Sequence, residues 1–567
     1  MGEEKKRPPV GVENFEQLIK DNFYYVDKTG LISELLRNGG MVNLFTRPRR
    51  FGKTLNMSML EHFFSIEGDK DIFDGLEISK DTKLCEEYMG KHPVISVSLK
   101  GINAATYEGA FDFAVQMIKD VAGSMQFLLD SEVLSDYDKA DYKTLLDSSM
   151  NEAVFCGGLR RLSELLEKHY GKKVILMIDE YDVPLAKAFA NGYYDQMVFL
   201  IRNLLEQVLK TNSSLKLAVL TGCMRISKES IFTGLNNFTI FTIADVDFDE
   251  YFGFTDQEVR DLLTYYECTD KYESIKEWYD GYRFGNVDVY CPWDVVSYLR
   301  SLRTNKEAIP QNYWINTSCN AEVREFIRQS KNLTTKREIE RLMAGESITK
   351  TIYPELTYKE MYESIENIWS VLFATGYLTQ SGQVDARKFK LRIPNLEIRD
   401  IFKTQIMEYF KESVEKDGDT LGRFCDALKN GEEKKVEAIF ESYLKKTISI
   451  RDTFVRKAMK ENFYHGILLG ILGVKEEWGV FSNQETGEGY SDILIETENS
   501  EMAILIEVKY ANDGNLEQAC ERALKQVKER KYDEELLENG VDKILKYGIA
   551  CHLKRCKVKV EESKNSS

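Results

Sequence analysis

The chain has 567 residues, 43% of them hydrophobic and 30% charged, with acids exceeding bases by 17. That length exceeds one ordinary core and predicts at least two globular domains. The acidic surplus repels nucleic acid and anionic membrane, so any nucleic-acid contact has to use local basic patches.

No run of about 18 consecutive apolar residues occurs, and "MGEEKKRPPVGVENF" at the start has no apolar signal core. The 10 cysteines are scattered singly, as suits a reducing compartment. A cytoplasmic protein without membrane contact is therefore expected. Cys551, His552 and Cys556 lie beside an apparent strand without a second ligand pair, and read as structural.

In chain order, the first 250 residues alternate short apolar runs with longer helical patterns. The runs are "MVNLF" (41–45), "HPVISVSL" (92–99), "KVILMIDE" (173–180), "LKLAVLTG" (215–222) and "FTIFTI" (238–243). Apolar on both faces, they predict strands of a mostly parallel sheet covered by helices.

After the first run comes "FTRPRRFGKTLNMSML". Gly52, Lys53 and Thr54 fit the second half of the phosphate-loop pattern G-x-x-x-x-G-K-[ST], while Arg47 stands where the first glycine belongs. Such a loop works because backbone N–H groups and a helix N-terminus converge on an anion, the lysine bridges outer phosphates and the hydroxyl holds magnesium. The strand before and the helical pattern after supply the required context.

Magnesium also needs a carboxylate beside the loop. The third run ends in Asp179, suited to the metal, and Glu180, suited to polarising water; Asp182 adds a carboxylate of unassigned role. Thr221 closes the fourth run, where a polar side chain can sense a terminal phosphate, and Arg225 with Arg47, Arg49 and Arg50 can meet phosphate charge. The plainer alternative makes "RPRRFGK" a solvated basic turn, "IDEYD" an ordinary strand end and Arg225 a salt-bridge partner. Both motifs on the right elements and in the right order favour a nucleotide site.

From about 251 to 455 the pattern is mainly helical, with room for a small winged-helix unit. The last part then reads helix, three strands, helix and strand, before a polar tail "VEESKNSS". In "YSDILIETENSEMAILIEVKY" a hairpin about "TENSE" sets Asp492 opposite Ile506 or Glu507, and the period of two puts Glu507 and Lys509 on one face. Hydrolysis of a phosphodiester needs hard cations with oxygen ligands and a group that stabilises developing charge. Asp492 and Glu507 suit the first task and Lys509 the second. Glu461 on the preceding helix can complete a metal shell, and Gln526 on the following one can touch substrate or a metal-bound water. The plainer alternative is a surface ion pair, which the apolar strand around Glu507 disfavours. His465, alone on an apolar helix, reads as a packed histidine.

Blocks along nearly the whole chain carry a resemblance. "FYYVDKTGLI", "RPRRFGKTLNMSML", "LMIDEYDVPL", "TGCMRISKESIFTGLNNF", "WYDGYRFG", "YCPWDVVSYL", "YWINTS", "ENFYHGILLGILG", "YSDILI", "IEVKY" and "ALKQVKERKY" occur in that order. The chain thus resembles the bacterial family that joins an AAA-like ATPase domain to a PD-(D/E)xK nuclease-superfamily domain, in which the arginine-rich loop without its first glycine is the usual form.

The resemblance implies an α/β fold in three parts: a P-loop ATPase domain over 1–250 with a mostly parallel sheet and flanking helices, a helical middle over 251–455, and a restriction-endonuclease-like domain over 456–567. Arg49, Arg50, Phe51, Gly52, Lys53, Thr54, Asp179, Thr221 and Arg225 are then expected around ATP and Mg2+, with Glu180 catalytic. Glu461, Asp492 and Glu507 are expected around Mg2+ or Mn2+, with Lys509 beside them. "TGEGYSDI" departs from the glycine- and arginine-rich turn that often precedes the aspartate, which removes one basic contact to substrate. The implied activity is cleavage of nucleic acid, DNA above all, regulated by ATP, with defence against foreign DNA as one setting. The competing implication is a nucleotide-switched sensor or assembly protein, and a homo-oligomer fits either.

Overall fold

Each of the first five apolar runs contains a strand. β1 (Val42–Thr46), β2 (Val94–Ser98), β3 (Val174–Asp179), β4 (Leu215–Gly222) and β5 (Phe238–Phe241) lie in the order β2-β3-β4-β1-β5, and every neighbouring pair is parallel. All positions of β1 and β3 are buried, and β4 exposes only Lys216. Parallel neighbours need crossover connections, and the helices that make them cover the sheet. Tyr107–Gly123, Glu152–Tyr170 and Tyr194–Leu209 bring Ile118, Leu162 and Ile201 into one core with Val42, Leu176 and Leu220. Side-chain caps start two of these helices, Thr106 accepting from Gly109 N and Asn151 from Val154 N. Parallel order also places the carboxyl ends of β1, β3 and β4 at one edge, the place where open α/β sheets bind ligands.

The structure, a computed structural model, describes residues 5–225, 238–314, 321–330, 333–446, 457–473, 475, 477–486, 489–497, 502–529, 536 and 541–564. The chain divides into two units, Met1–Cys319 with Thr349–Ile398, and Asn320–Ile348 with Arg399–Ser567.

The middle of the chain is mainly helical, as its patterning predicts, but it also carries two small sheets. β6 (Phe254–Thr255), β7 (Tyr282–Phe284) and β8 (Val287–Tyr290) form an antiparallel sheet in the order β6-β8-β7. β9 (Ile348–Thr351), β10 (Thr379–Asp385) and β11 (Lys388–Arg392) form the other, in the order β10-β11-β9. β6 and β7, of 2 and 3 residues, are too short to announce themselves by alternation, and β10, "TQSGQVD", is too polar to read as a strand.

In the second unit β12 (Gly479–Thr486), β13 (Gly489–Glu496), β14 (Met502–Tyr510), β15 (Lys543–His552) and β16 (Arg555–Lys564) pair in chain order. All pairs are antiparallel except β14 with β15, which are joined through the helix Leu516–Glu529. Ile504, Ile506 and Val508 face a core shared with Phe424, Phe440 and Ile467, while Ala503 and Leu505 face Val527.

The expected polar tail begins later than its composition suggests, since Val560–Lys564 belongs to β16. This edge strand hides Val558 and presents Lys557 and Lys559 to acids of neighbouring helices, Glu437, Glu517 and Glu521. Charge at an edge strand protects it against further pairing.

Gly548 marks the closest seating of Leu516–Glu529 on the sheet, because a Cβ there would lie 2.7 Å from Cys520 O and Leu524 N. Backbone atoms cannot step aside cheaply, so Gly548→Ala is expected to cost about 1–3 kcal/mol. A lowered urea or thermal midpoint reports it; an unchanged midpoint would show a looser seat.

Candidate functional site

The loop after β1 ends at Gly52, whose φ of 77° is left-handed, and the helix Lys53–Phe64 begins at the next residue. A Cβ at Gly52 would meet nothing within 4 Å, so glycine serves here for its backbone freedom. Lys53 is buried, and its ammonium donates to the carbonyls of Arg47 (3.1 Å) and Pro48 (2.8 Å), in the hollow of the loop.

Thr54 Oγ1 donates to Asp179 Oδ2 at 2.7 Å. Asp179 Oδ1 accepts from Thr221 Oγ1 and from Glu180 N. The helix that follows β1 and the ends of β3 and β4 therefore meet at one carboxylate. Glu180 turns out of the strand with a φ of 54°, and burial together with Asp179 raises its carboxyl, against the opposing pull of Lys100 and Lys53. A carboxylate with raised proton affinity beside such a loop suits a base.

Asp182, left without a role by its sequence, is buried, and its Oδ2 accepts from Cys223 N and Met224 N, both at 2.9 Å. Tyr181 OH donates to Met224 O, so these adjoining residues clamp the end of β3 to the chain leaving β4.

The arginines divide. Arg47 is wholly buried and donates to the carbonyls of Thr46 (3.1 Å), Phe241 (2.8 Å) and Phe248 (3.2 Å), beneath the rings of Phe252 and Phe284. It braces the loop from below. Arg49 is exposed, Arg50 lies over the Trp293 ring, and Arg225 pairs with Glu355 at 2.8 Å. Phe51 is buried against Tyr282 and Phe284. Nothing in the pattern of Arg47 distinguishes it from its neighbours; only the carbonyls that converge on it do.

In the second unit, Glu507 is 1% exposed on β14, and its Oε1 accepts from Lys509 Nζ (2.9 Å) and from Gln526 Nε2. Lys509 Nζ lies 3.8 Å from Glu461 Oε2, while Glu461 Oε1 accepts from Tyr510 N. Two carboxylates, a lysine and a glutamine from two helices and one strand thus converge. The lysine offsets a buried charge that would otherwise be costly.

Ile493 pairs with Ile506, so the register runs from there toward position 492 and Glu507. Asp492 is on β13, but its side chain lies outside the described residues. His465 is packed, with Nε2 3.1 Å from Ser482 Oγ.

Among the described residues no three His, Cys, Asp or Glu side chains have metal-holding geometry. The donors that do meet are hard: a hydroxyl and a carboxylate at Thr54 and Asp179, carboxylates at Glu461 and Glu507. Oxygen sets of this kind suit Mg2+ and Mn2+ rather than soft metals.

Residues 9–232 match the family model of a predicted AAA-ATPase, and residues 459–561 that of the PD-(D/E)XK nuclease superfamily. The chain is 24% identical over 457 residues, 77% of its own length and 77% of the other's, to an uncharacterized protein in the vnfD 5′ region of Azotobacter chroococcum mcd 1. Among the described residues no helix is long and apolar enough to cross a membrane.

Burial raises the Asp182 carboxyl above its ordinary value. The folded state then keeps this proton to higher pH than the unfolded chain does, so its contribution to stability falls as pH rises from about 4 through the raised value. Asparagine does not titrate. The stability of Asp182→Asn relative to wild type should therefore increase with pH across that window in urea unfolding, and a pH-independent difference would contradict the assignment. Asp182→Ala, which strands two buried N–H groups, should cost about 1–3 kcal/mol for each.

Proposed function

We propose that this chain, which joins an AAA-ATPase-like domain to a PD-(D/E)XK nuclease-superfamily domain, binds and hydrolyses ATP with the first and cleaves nucleic acid, DNA foremost, with the second, nucleotide state governing cleavage. The observation that carries this reading is the meeting of Thr54 and Asp179 at 2.7 Å beside the buried Lys53 ammonium. In it, residues 1–250 serve ATP, 456–567 serve cleavage, and 251–455 lie between.

Lys53 meets the outer phosphates, which displace its ammonium from the loop carbonyls it now engages. Thr54 and Asp179 would hold Mg2+, Glu180 orients and deprotonates the attacking water, and Thr221 stands beside the terminal phosphate. In the second domain Glu461, Asp492 and Glu507 would hold Mg2+ or Mn2+. When bound, such cations neutralise phosphate charge and make water a better nucleophile. Lys509 stabilises the charge that develops on the phosphate, and Gln526 keeps the Glu507 carboxylate in place. A cytoplasmic setting and a role against foreign DNA suit these chemistries.

The test is a cleavage panel over single- and double-stranded DNA and RNA, with Mg2+ or Mn2+ and with or without ATP. Wild type should degrade at least one substrate in a metal-dependent way, and Glu507→Ala or Asp492→Ala should slow this by about a hundredfold or more. Lys53→Ala should abolish the influence of ATP. Equal persistence of every substrate with wild type and Glu507→Ala would sink the nuclease reading. ATP-dependent assembly surviving in Asp492→Ala and lost in Lys53→Ala would then point to a nucleotide-switched assembly protein.

A further inference from the structure

β15 and β16 are joined by a turn of only two residues, Leu553 and Lys554, the first at a left-handed φ of 56°. His552 and Arg555 close the hairpin, and next to them Cys551 stands directly opposite Cys556. Residues that face each other across an antiparallel ladder share one side of the sheet. Both cysteines are accordingly buried in the core that holds Ile506, Tyr547 and Val558. Neither candidate site described above uses them.

Their backbone groups show which kind of pair they form. Cys551 O accepts from Ala511 N at 2.9 Å, so the backbone of Cys551 is turned toward the end of β14. Cys556 N is turned the opposite way and donates to Glu441 Oε1 at 3.3 Å. The alternate residues that follow repeat this, Val558 N donating to Glu437 (3.2 Å) and Val560 N to Glu433 (2.8 Å), all on the helix Glu433–Lys446. Cys551 and Cys556 are therefore a non-hydrogen-bonded pair, in which Cα atoms stand about 4.5 Å apart and side chains approach most closely. Disulfides span Cα separations of about 4.4–6.8 Å. Both thiols are free, and Cys556 Sγ makes a weak bond to Glu437 O at 3.5 Å, so closing a bridge takes side-chain rotation rather than movement of the strands. Burial raises both thiols, and Cys556 alone keeps some exposure, 3%, so a reagent has to be small.

We propose that Cys551 and Cys556 are a redox site, a dithiol that hydrogen peroxide converts into a cross-strand disulfide. The Cys556 sulfur attacks one peroxide oxygen and breaks the O–O bond, which gives a sulfenic acid and, with the thiol proton, one water. The Cys551 sulfur then displaces the sulfenic hydroxyl, which leaves with the second thiol proton as another water while the S–S bond forms. Two thiols are thus oxidised by two electrons and one peroxide is reduced to two waters. In a reducing compartment the pair rests as thiols, and a thiol reductant restores it. The bridge staples the hairpin beside the second candidate site. Tyr510, which follows Lys509, pairs with Cys551, the His552 ring stacks on Tyr510 at 5.6 Å, and Tyr464 OH donates to Leu553 O at 2.8 Å. This inference stands apart from the reading of either site as catalytic.

The experiment treats the reduced full chain with hydrogen peroxide under native conditions, alkylates the remaining thiols and digests without reductant. Lys554 and Arg555 lie between the two cysteines, so trypsin separates the peptide Tyr547–Lys554 from Cys556–Lys557 unless a disulfide joins them. A joined pair is expected, lighter by two hydrogens than its separate peptides, that disappears with dithiothreitol and forms in neither Cys551→Ser nor Cys556→Ser. Oxidation should also raise the thermal midpoint of wild type and of neither variant, because the bridge restrains the unfolded chain. Recovery of Cys551 and Cys556 as alkylated thiols at peroxide levels that oxidise the half-buried Cys85 or Cys268 would overturn the proposal. Joining of Cys556 to another cysteine in place of Cys551, or a midpoint lowered by oxidation, would overturn it equally. Should the serine variants fail to fold, the peptides of wild type decide alone.

Discussion

The first site depends on the carboxylate of Asp179, a nearly buried charge that has to be satisfied by hydrogen bonds. Thr54 satisfies it from the helix after β1 and Thr221 from the neighbouring β4, and Glu180 N adds a third donor. Because β4 lies between β3 and β1, that contact spans the sheet's carboxyl edge and joins the phosphate loop to the acidic strand end. The same oxygens are those a hard cation would take, so the hydrogen bonds preorganise the donors that a metal would use. Asp182 reinforces the geometry by holding the chain beyond β4 to the chain beyond β3.

The loop itself lacks the glycine that ordinarily eases its first turn. Its shape comes instead from anchored side chains: Arg47 below, fixed by carbonyls of Thr46, Phe241 and Phe248, and Phe51 wedged between Tyr282 and Phe284. A fully buried guanidinium is tolerable because carbonyls and aromatic faces replace its water, with Asp245 and Asp249 nearby to support its charge. The arginine-rich loop is therefore two devices in one stretch. Arg47 builds the turn, Lys53 lies on the carbonyls of Arg47 and Pro48, and Arg50 lies over the Trp293 ring.

In the second unit the constraint is the parallel pairing of β14 with β15, which obliges a crossover. The helix that makes it, Leu516–Glu529, is seated closely enough at Gly548 to hold Gln526 on the Glu507 carboxylate. The opposite end of the site comes from Glu461, which reaches both Lys509 and Tyr510 N. One strand thus carries its own charge pair, and a helix on each side adjusts it.

Much of this was legible in the residues. Runs apolar on both faces identify β1 to β5 and their parallel pairing, because only strands covered on each side read that way. The period of two places Glu507 with Lys509, and the hairpin between Asp492 and Glu507 follows from the polar turn between them. What periodicity does not contain is which polar groups meet. The exchange of Thr54, Thr221 and Glu180 N around Asp179, the clamp of Asp182 and the burial of Arg47 all join residues far apart in the chain or alike in composition. β16 is illegible locally for a related reason: its second half, "VEESK", reads as a solvated tail, and Lys557 and Lys559 in its first half find their partners only in acids on neighbouring helices. Local pattern determines the elements and the residue types that can do chemistry; tertiary packing decides which charges lose their water, and so which are braces and which remain available to a ligand.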